Sequence, residues 1–332
     1  MKQRRLLPTI AAAAALSLAL SGCSGSDGGS ASSGAVDTQY TIGVAVIVSH
    51  PALQAVQDGF TEVLNEQGLN YKLKSQNAQG DNANAATIAS SFHSDTSLDL
   101  ILAISTPIAL AMANAEKDRP ILFSAVTDPV AVGLVPSWDQ AGPNITGTSD
   151  LNPDAKPVSL VKEAMPDVKT IGVLYSSSEP NSLAQVNAYQ TEADSIGVTL
   201  KPQAITQAAE ISVGLESLAG VDAILIPTDN TVAASIATVI GYGQEHQIPV
   251  FCADTSTVSL GTVAARGLSY HDLGRRTGEM AVSILRDGVD ISTIPPEATT
   301  STELIVNPTA AQSYGLTLPA ALVSQAAQVE GS

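Results

Sequence analysis

The chain writes one passage twice. TIGVAVIVSHP (41–51) returns as TIGVLYSSSEP (170–180), and YKLKSQ (71–76) returns as VTLKPQ (198–203). LDLILAIST (98–106) returns as VDAILIPTD (221–229), and RPILFSA (119–125) as IPVFCAD (248–254). Four matched units in one order hold a common register, which the general rhythm of α/β proteins does not produce alone. Each unit joins an apolar run of strand length to a segment of helical periodicity. In PALQAVQDGFTEVLNEQG, for example, Leu53, Val56, Phe60, Val63 and Leu64 share one helical face that stops at Gly68. Strands alternating with helices at this spacing build βαβ units and parallel sheets. The expected fold is therefore α/β, with two Rossmann-like lobes of parallel sheet joined by a hinge.

Composition fits that reading. A chain of 332 residues can bury two cores, and 44% hydrophobic with only 14% charged suits buried parallel strands. After the second repeat, GTVAARGLSY and HDLGRRTGEMAVSILRDG read as one more strand–helix unit, and TELIVN as a last strand. A tail that crosses back between lobes makes a hinge. The expected boundaries are 40–147 plus 257–287 for the N-terminal lobe, and 148–256 plus 288–325 for the C-terminal lobe.

Residues 1–22 read as a leader. MKQRR supplies positive charge, and LLPTIAAAAALSLAL is too short and alanine-rich for a permanent span. LSGC (20–23) resembles the lipobox of bacterial lipoproteins, which makes Cys23 the lipid-bearing first residue of the mature protein. Residues 23–39 form a Gly/Ser tether. This layout places the protein outside the cytoplasm, lipid-anchored to the outer face of a bacterial cell membrane. A net charge of −17 argues against nucleic acid as a partner. With Cys23 lipidated, Cys252 stands alone inside an apolar strand, so no disulfide forms within the chain.

In open α/β sheets, ligands sit beyond the carboxyl ends of the strands, where helix N-termini point. Those ends carry Ser49, His50, Asn77, Gln79, Ser105 and Thr106 in the first half, then Ser124, Ala125, Val126 and Thr127. The second half offers Tyr175, Glu179, Asn181, Thr228, Asp229, Asn230 and Asp254. The repeat preserves core positions and changes the tips: Thr106 matches Asp229, Ala125 matches Asp254, and His50 matches Glu179. Hydroxyls at Ser105, Thr106, Ser124 and Thr127 suit a carboxylate, whereas Asp229 and Asp254 suit an ammonium. An α-amino acid bridging the lobes satisfies both. Asp229 also stands where a helix N-cap would, as DNTV opens a helix, whereas Asp254 shows no such second job. Tyr175 either stacks on the ligand or joins the core.

SHPALQAVQDGF, NAQGD, FSAVTDPVAVGLV, GVLYSSSEPNS and PTDNTV resemble the tryptophan/tyrosine-type substrate-binding proteins of ABC transporters, with similarity running from about Tyr40 to Leu316. The resemblance implies a type I periplasmic-binding-protein fold. It also implies a ligand delivered to a membrane permease with a cytoplasmic ATPase, aromatic amino acids being the better-known ligands. A monomer without cofactor or metal is expected.

Enzymatic signatures are missing from the sequence. There is no Gly-x-Ser-x-Gly elbow and no Walker loop, and His50, His93, His246 and His271 are scattered singly. His50 and Glu179 facing across a cleft would be the one candidate acid–base pair. A lipid-anchored sensor for a signalling partner uses the same fold and stays open as an alternative to transport.

Overall fold

The computed structural model describes residues 38–298 and 301–331; the expected leader, Cys23 and the tether as far as Asp37 lie outside the described residues. The first half runs β1 (Tyr40–Val46), α1 (Pro51–Glu66), β2 (Tyr71–Asn77), α2 (Asn82–Ser94), β3 (Leu100–Ile104), α3 (Thr106–Ala115) and β4 (Ile121–Val126). β5 (Ile145–Ser149) closes it, and α4 (Pro157–Ala164) follows. The pattern restarts with β6 (Thr170–Ser176), α5 (Pro180–Ile196), β7 (Thr199–Ile205), α6 (Ile211–Ser217) and β8 (Ala223–Ile226). Next come α7 (Asn230–Ala233), α8 (Ile236–His246) and β9 (Val250–Cys252). The tail adds β10 (Ala264–Gly267), α9 (Tyr270–Leu285), β11 (Glu297–Ala298), β12 (Glu303–Val306) and, after two short helices, β13 (Gln328–Val329).

The two halves build one topology twice, β4-β3-β1-β2 in the first sheet and β9-β8-β6-β7 in the second. Their registers also coincide. Thr41 pairs with Lys72 where Thr170 pairs with Thr199, and Ile42 pairs with Leu100 where Ile171 pairs with Ala223. Ile101 pairs with Ile121 where Ile224 pairs with Val250. The matched letters of the sequence are thus matched hydrogen-bonding partners. All these pairings are parallel, and β3 and β4 are buried at every residue, as strands covered on both faces must be. Two separate apolar cores result, one around Ile42, Phe92, Leu102 and Phe123, the other around Leu174, Ile224, Val239 and Phe251.

The tail divides differently from the expected boundaries. β10 pairs antiparallel with β12, and Val263 N–H donates to the Val250 carbonyl, which places 257–267 in the second lobe. α9 and Ile291 join the first core, and β11 pairs with β5, so 270–298 belongs to the first lobe. The first boundary moves too, since β5 reaches Ser149 within the first sheet. The reason is that the expected strand–helix unit is not one unit. Its strand completes one lobe and its helix completes the other, with the crossing at residues 267–270. The chain therefore changes lobe between β5 and α4, between β10 and α9, and between β11 and β12.

α9 lies on α1 at very short range. A Cβ at Gly274 would stand 2.0 Å from the Val56 carbonyl oxygen, and one at Gly59 would stand 2.1 Å from that of His271. Ion pairs from Arg275 to Glu62 and Glu66 border the contact, and a triangle of Ser124, Thr148 and Thr277 hydroxyls ties the helix to the sheet at 2.9, 2.7 and 3.0 Å.

At the end of α3, Glu116 is almost wholly buried and pairs with Arg119. Burial alone would raise its carboxyl, but the N–H groups of Asp118 and Arg119 and the Arg119 guanidinium hold it from an ordinary 4.5 down to about 2. A carboxylate depressed in the folded state stabilises fully above its unfolded value, and that contribution is lost as pH falls through the folded one. The stability gap between wild type and Glu116→Gln, read from urea titrations, is expected to narrow as pH falls from 4.5 towards 2. A gap independent of pH would contradict this.

Candidate ligand-binding cleft

The carboxyl ends of both sheets converge on one cleft. Its inner recess leaves about 10 Å³ of room and draws walls from both lobes: His50, Ala125, Thr127 and Asp150 from the first, and Asn181, Thr228, Asp229, Asn230 and Asp254 from the second. Tyr270, at the second crossing, completes it. An outer chamber of about 480 Å³ shares Thr127, Asp150, Thr228 and Tyr270 with the recess, so the two are continuous. Its remaining wall is largely apolar, with Leu151, Ala155, Ala188, Tyr189 and Leu268.

Strained backbone lies at the strand tips around the cleft, and underbonded polar atoms lie within it. Gln79, Ser105 and Ala125 hold φ of 58°, 95° and 55°, a backbone region that favours glycine. Buried side-chain atoms without a hydrogen-bond partner include His50 Nδ1, Ser105 Oγ, Asp150 Oδ1, Asn181 Oδ1 and Asp254 Oδ2. All of these residues except Ser105 line the recess. Buried polar groups are normally paired, so a cluster of open ones is chemically suited to receive polar atoms from outside the chain.

The lobes touch here. His50 caps α1 without a side-chain bond, which leaves its ring free to reach the second lobe. Its Nε2 lies 3.4 Å from Asn230 Oδ1 and its Nδ1 lies 3.9 Å from Asp254 Oδ2. Asn82 Nδ2 donates to the Ser178 carbonyl across the mouth at 3.4 Å. Asp254 itself divides its work: Oδ1 accepts from Ser256 N–H and hydroxyl, both at 2.8 Å, while Oδ2 stays open to the recess. It caps the short helical turn after it, a job the sequence reading did not assign. Asp150 is similar, with Oδ2 accepting from the Tyr270 hydroxyl at 3.1 Å and Oδ1 open. Burial, ahead of any other cause, pushes the Asp150 carboxyl up, and it pushes the Tyr270 hydroxyl up as well.

Several expected ligand contacts do other work. Asp229 caps α7 through Val232 N–H at 2.8 Å and accepts from Ser176 N–H and Ser182 Oγ at 2.6 and 2.7 Å, leaving nothing open. Burial first and the Glu179 charge second raise its carboxyl to about 7. Glu179 accepts from Asn230 and Thr231 and so fastens the start of α7, and it is Asn230 that meets His50. Ser124 turns into the hydroxyl triangle under α9, and Val126 is core. Tyr175 packs on the second core and lines neither space. Ser105 and Thr106 are buried behind the wall, where Thr106 Oγ1 accepts from Thr127 N–H at 3.3 Å. Ser49, Asn77 and Gln79 form a turn at the edge, Asn77 donating to Ser49 and accepting from Gln79 N–H. Asp150, Tyr189 and Tyr270 were missed. Asp150 is the first residue after β5, at that strand's carboxyl end.

Comparison with known proteins supplies a family. A model described as ABC transporter substrate binding protein matches residues 41–330. A tyrosine-binding protein of Clostridioides difficile is 38% identical over 316 residues, covering 92% of this chain and 91% of that protein. Among solved structures, an ABC domain in complex with L-Trp from Streptococcus pneumoniae is 35% identical with a TM-score of 0.84, over 88% of this chain and all of that one. The ligand-free, open structure of a substrate-binding protein with adhesive properties from Clostridium difficile is 41% identical with a TM-score of 0.64, over the same shares.

Proposed function

This chain belongs to the ABC transporter substrate-binding protein family and has the two-lobed fold of type I periplasmic binding proteins; from that premise we propose that it captures an aromatic amino acid between its lobes and hands it to an import permease. The observation that carries the reading is the trio of open acceptors, Asp150 Oδ1, Asn181 Oδ1 and Asp254 Oδ2, beside an apolar chamber walled by Tyr189 and Tyr270. The ammonium of the ligand goes to the trio and its ring to the chamber. Desolvated charge pairs of this kind are strong, and flat rings suit an aromatic-lined slot. Asp150 comes from the first lobe, so the amine is gripped from both sides. That revises the expected division, in which the second lobe alone held it.

The arrangement of the lobes agrees with a loaded state. The likeness to the L-Trp complex, 0.84, exceeds that to the open ligand-free structure, 0.64, although the open protein has the higher identity. A ligand that contacts both lobes shifts an open–closed equilibrium towards closure. In this reading the protein works as an extracytoplasmic monomer that binds without chemistry. Lipid on Cys23 anchors it to the cell membrane. Among the described residues no helix is long and apolar enough to cross a membrane.

Two tests follow. In thermal unfolding, L-tryptophan, L-tyrosine or L-phenylalanine at a hundred times its dissociation constant should add about 2.7 kcal/mol of stability. No shift with any of the three would remove the aromatic assignment. Cys23→Ser should move the protein from the membrane fraction to the soluble fraction of cells, and unchanged membrane retention would count against the anchor.

A further inference from the structure

We propose that the ammonium is the dominant recognition element of this site and the ligand's carboxylate a secondary one, so that the binding class extends to primary arylalkyl amines. The inference rests on the reading above and goes further, because it ranks the two charged ends of the ligand. Its basis is an imbalance between acceptors and donors in the inner recess.

The open oxygens there are acceptors. Asp254 and Asn181 are 2% and 3% exposed, and each aims an unpartnered oxygen into the recess. The Asn181 amide orientation is fixed, since its Nδ2 donates to the Thr228 carbonyl at 2.9 Å and to Glu179. Asp150 adds a third oxygen. His50 follows from its neighbour: Asn230 Nδ2 donates to Glu179, so Asn230 Oδ1 must accept, and His50 Nε2 carries the proton. Its Nδ1 is left without a hydrogen-bond partner beside Asp254 Oδ2. Nδ1 and Asp254 Oδ2 stand 3.9 Å apart, too far to bond each other directly. The recess leaves about 10 Å³, room for about one water-sized group, which is the size of an ammonium.

Donors for a carboxylate are weaker. Among the described residues, no lysine or arginine lines the recess. The cations of the outer chamber are Lys156, which is exposed, and Arg266, which is already committed to Glu163. Of the four hydroxyls expected to hold a carboxylate, Ser105, Thr106 and Ser124 line neither space, and Thr127 alone lines both. What remains is neutral: the Thr127 and Thr228 hydroxyls and the first turn of α1, left without a side-chain cap, whose N–H groups offer partial charge only. Buried carboxylates without a cation are costly, and an ammonium offsets that cost whether or not a carboxylate accompanies it.

The test is calorimetric titration of the unaltered protein with three probes, L-tryptophan, tryptamine and indolepropionate, and in parallel with L-tyrosine, tyramine and hydroxyphenylpropionate. The amine should bind within about tenfold of its parent amino acid, and the acid should bind at least about a hundredfold more weakly than the parent. If a parent amino acid binds but its acid matches or exceeds its amine, the inference is overturned while the proposed function stands. If no parent, amine or acid binds, the aromatic assignment falls and this inference falls with it.

Discussion

Asp254→Ala is expected to weaken binding of an aromatic amino acid by about 2–5 kcal/mol, roughly thirtyfold to several thousandfold in dissociation constant. The size follows from burial. Asp254 is 2% exposed, and its Oδ2 has no partner within the protein. An ammonium meeting that oxygen in a nearly dry recess forms a charge-assisted bond, and truncating one side leaves the other unpaired. Loss of the cap to Ser256 adds a stability cost, about 1 kcal/mol for a typical cap, which calorimetry separates from affinity. The matching change at Asp229 should behave differently. Both of its oxygens are used within the second lobe, so its removal should lower the unfolding midpoint first. Unchanged affinity in Asp254→Ala would remove the proposed anchor.

The second large effect is structural. Gly274→Ala should destabilise the protein by about 3 kcal/mol, seen as a lower urea midpoint with little change in slope. Helix propensity alone predicts the opposite sign, since alanine in place of glycine inside a helix usually stabilises by about 1 kcal/mol. Here the added Cβ would stand 2.0 Å from the Val56 carbonyl oxygen, with other Val56 backbone atoms at 2.7 and 2.8 Å. Backbone cannot swing aside as a flexible side chain can, so α1 and α9 must separate and give up packing on both. α9 also carries Tyr270 at its first residue, so the shift should reach the cleft. A midpoint equal to or above wild type would contradict the close helix contact.

The fold was legible because a repeat reports register as well as content. Ile42 and Ile171, or Ile101 and Ile224, could be placed as equivalent before any pairing was known, and their partners proved equivalent as well. The crossings were not legible. Nothing in GTVAARGLSYHDLGRR marks that β10 and α9 belong to different lobes, because strand and helix signals are local while lobe membership is decided by what they pack against. The site was legible in outline only. Strand tips pointed to His50, Thr127, Asn181, Thr228 and Asp254, and all five line the recess. The DNTV pattern pointed to the cap that Asp229 makes, but periodicity does not tell which oxygen of an acid is taken by a cap, so the cap made by Asp254 and the bonds of Glu179 were not legible. Asp150 was passed over because β5 has no place among the four repeated units, and the comparison of tips stopped at those units. Tyr189 sits on a helix face that serves both the second core and the outer chamber, a double role that spacing along the chain does not show.

The most direct measurement is a crystal structure with L-tryptophan bound. It should place the amino nitrogen within hydrogen-bond distance of Asp254 and of Asp150 or Asn181, with the indole against Tyr189 and Tyr270. A ligand contacting one lobe alone, or an amino group turned away from Asp254, would contradict the account.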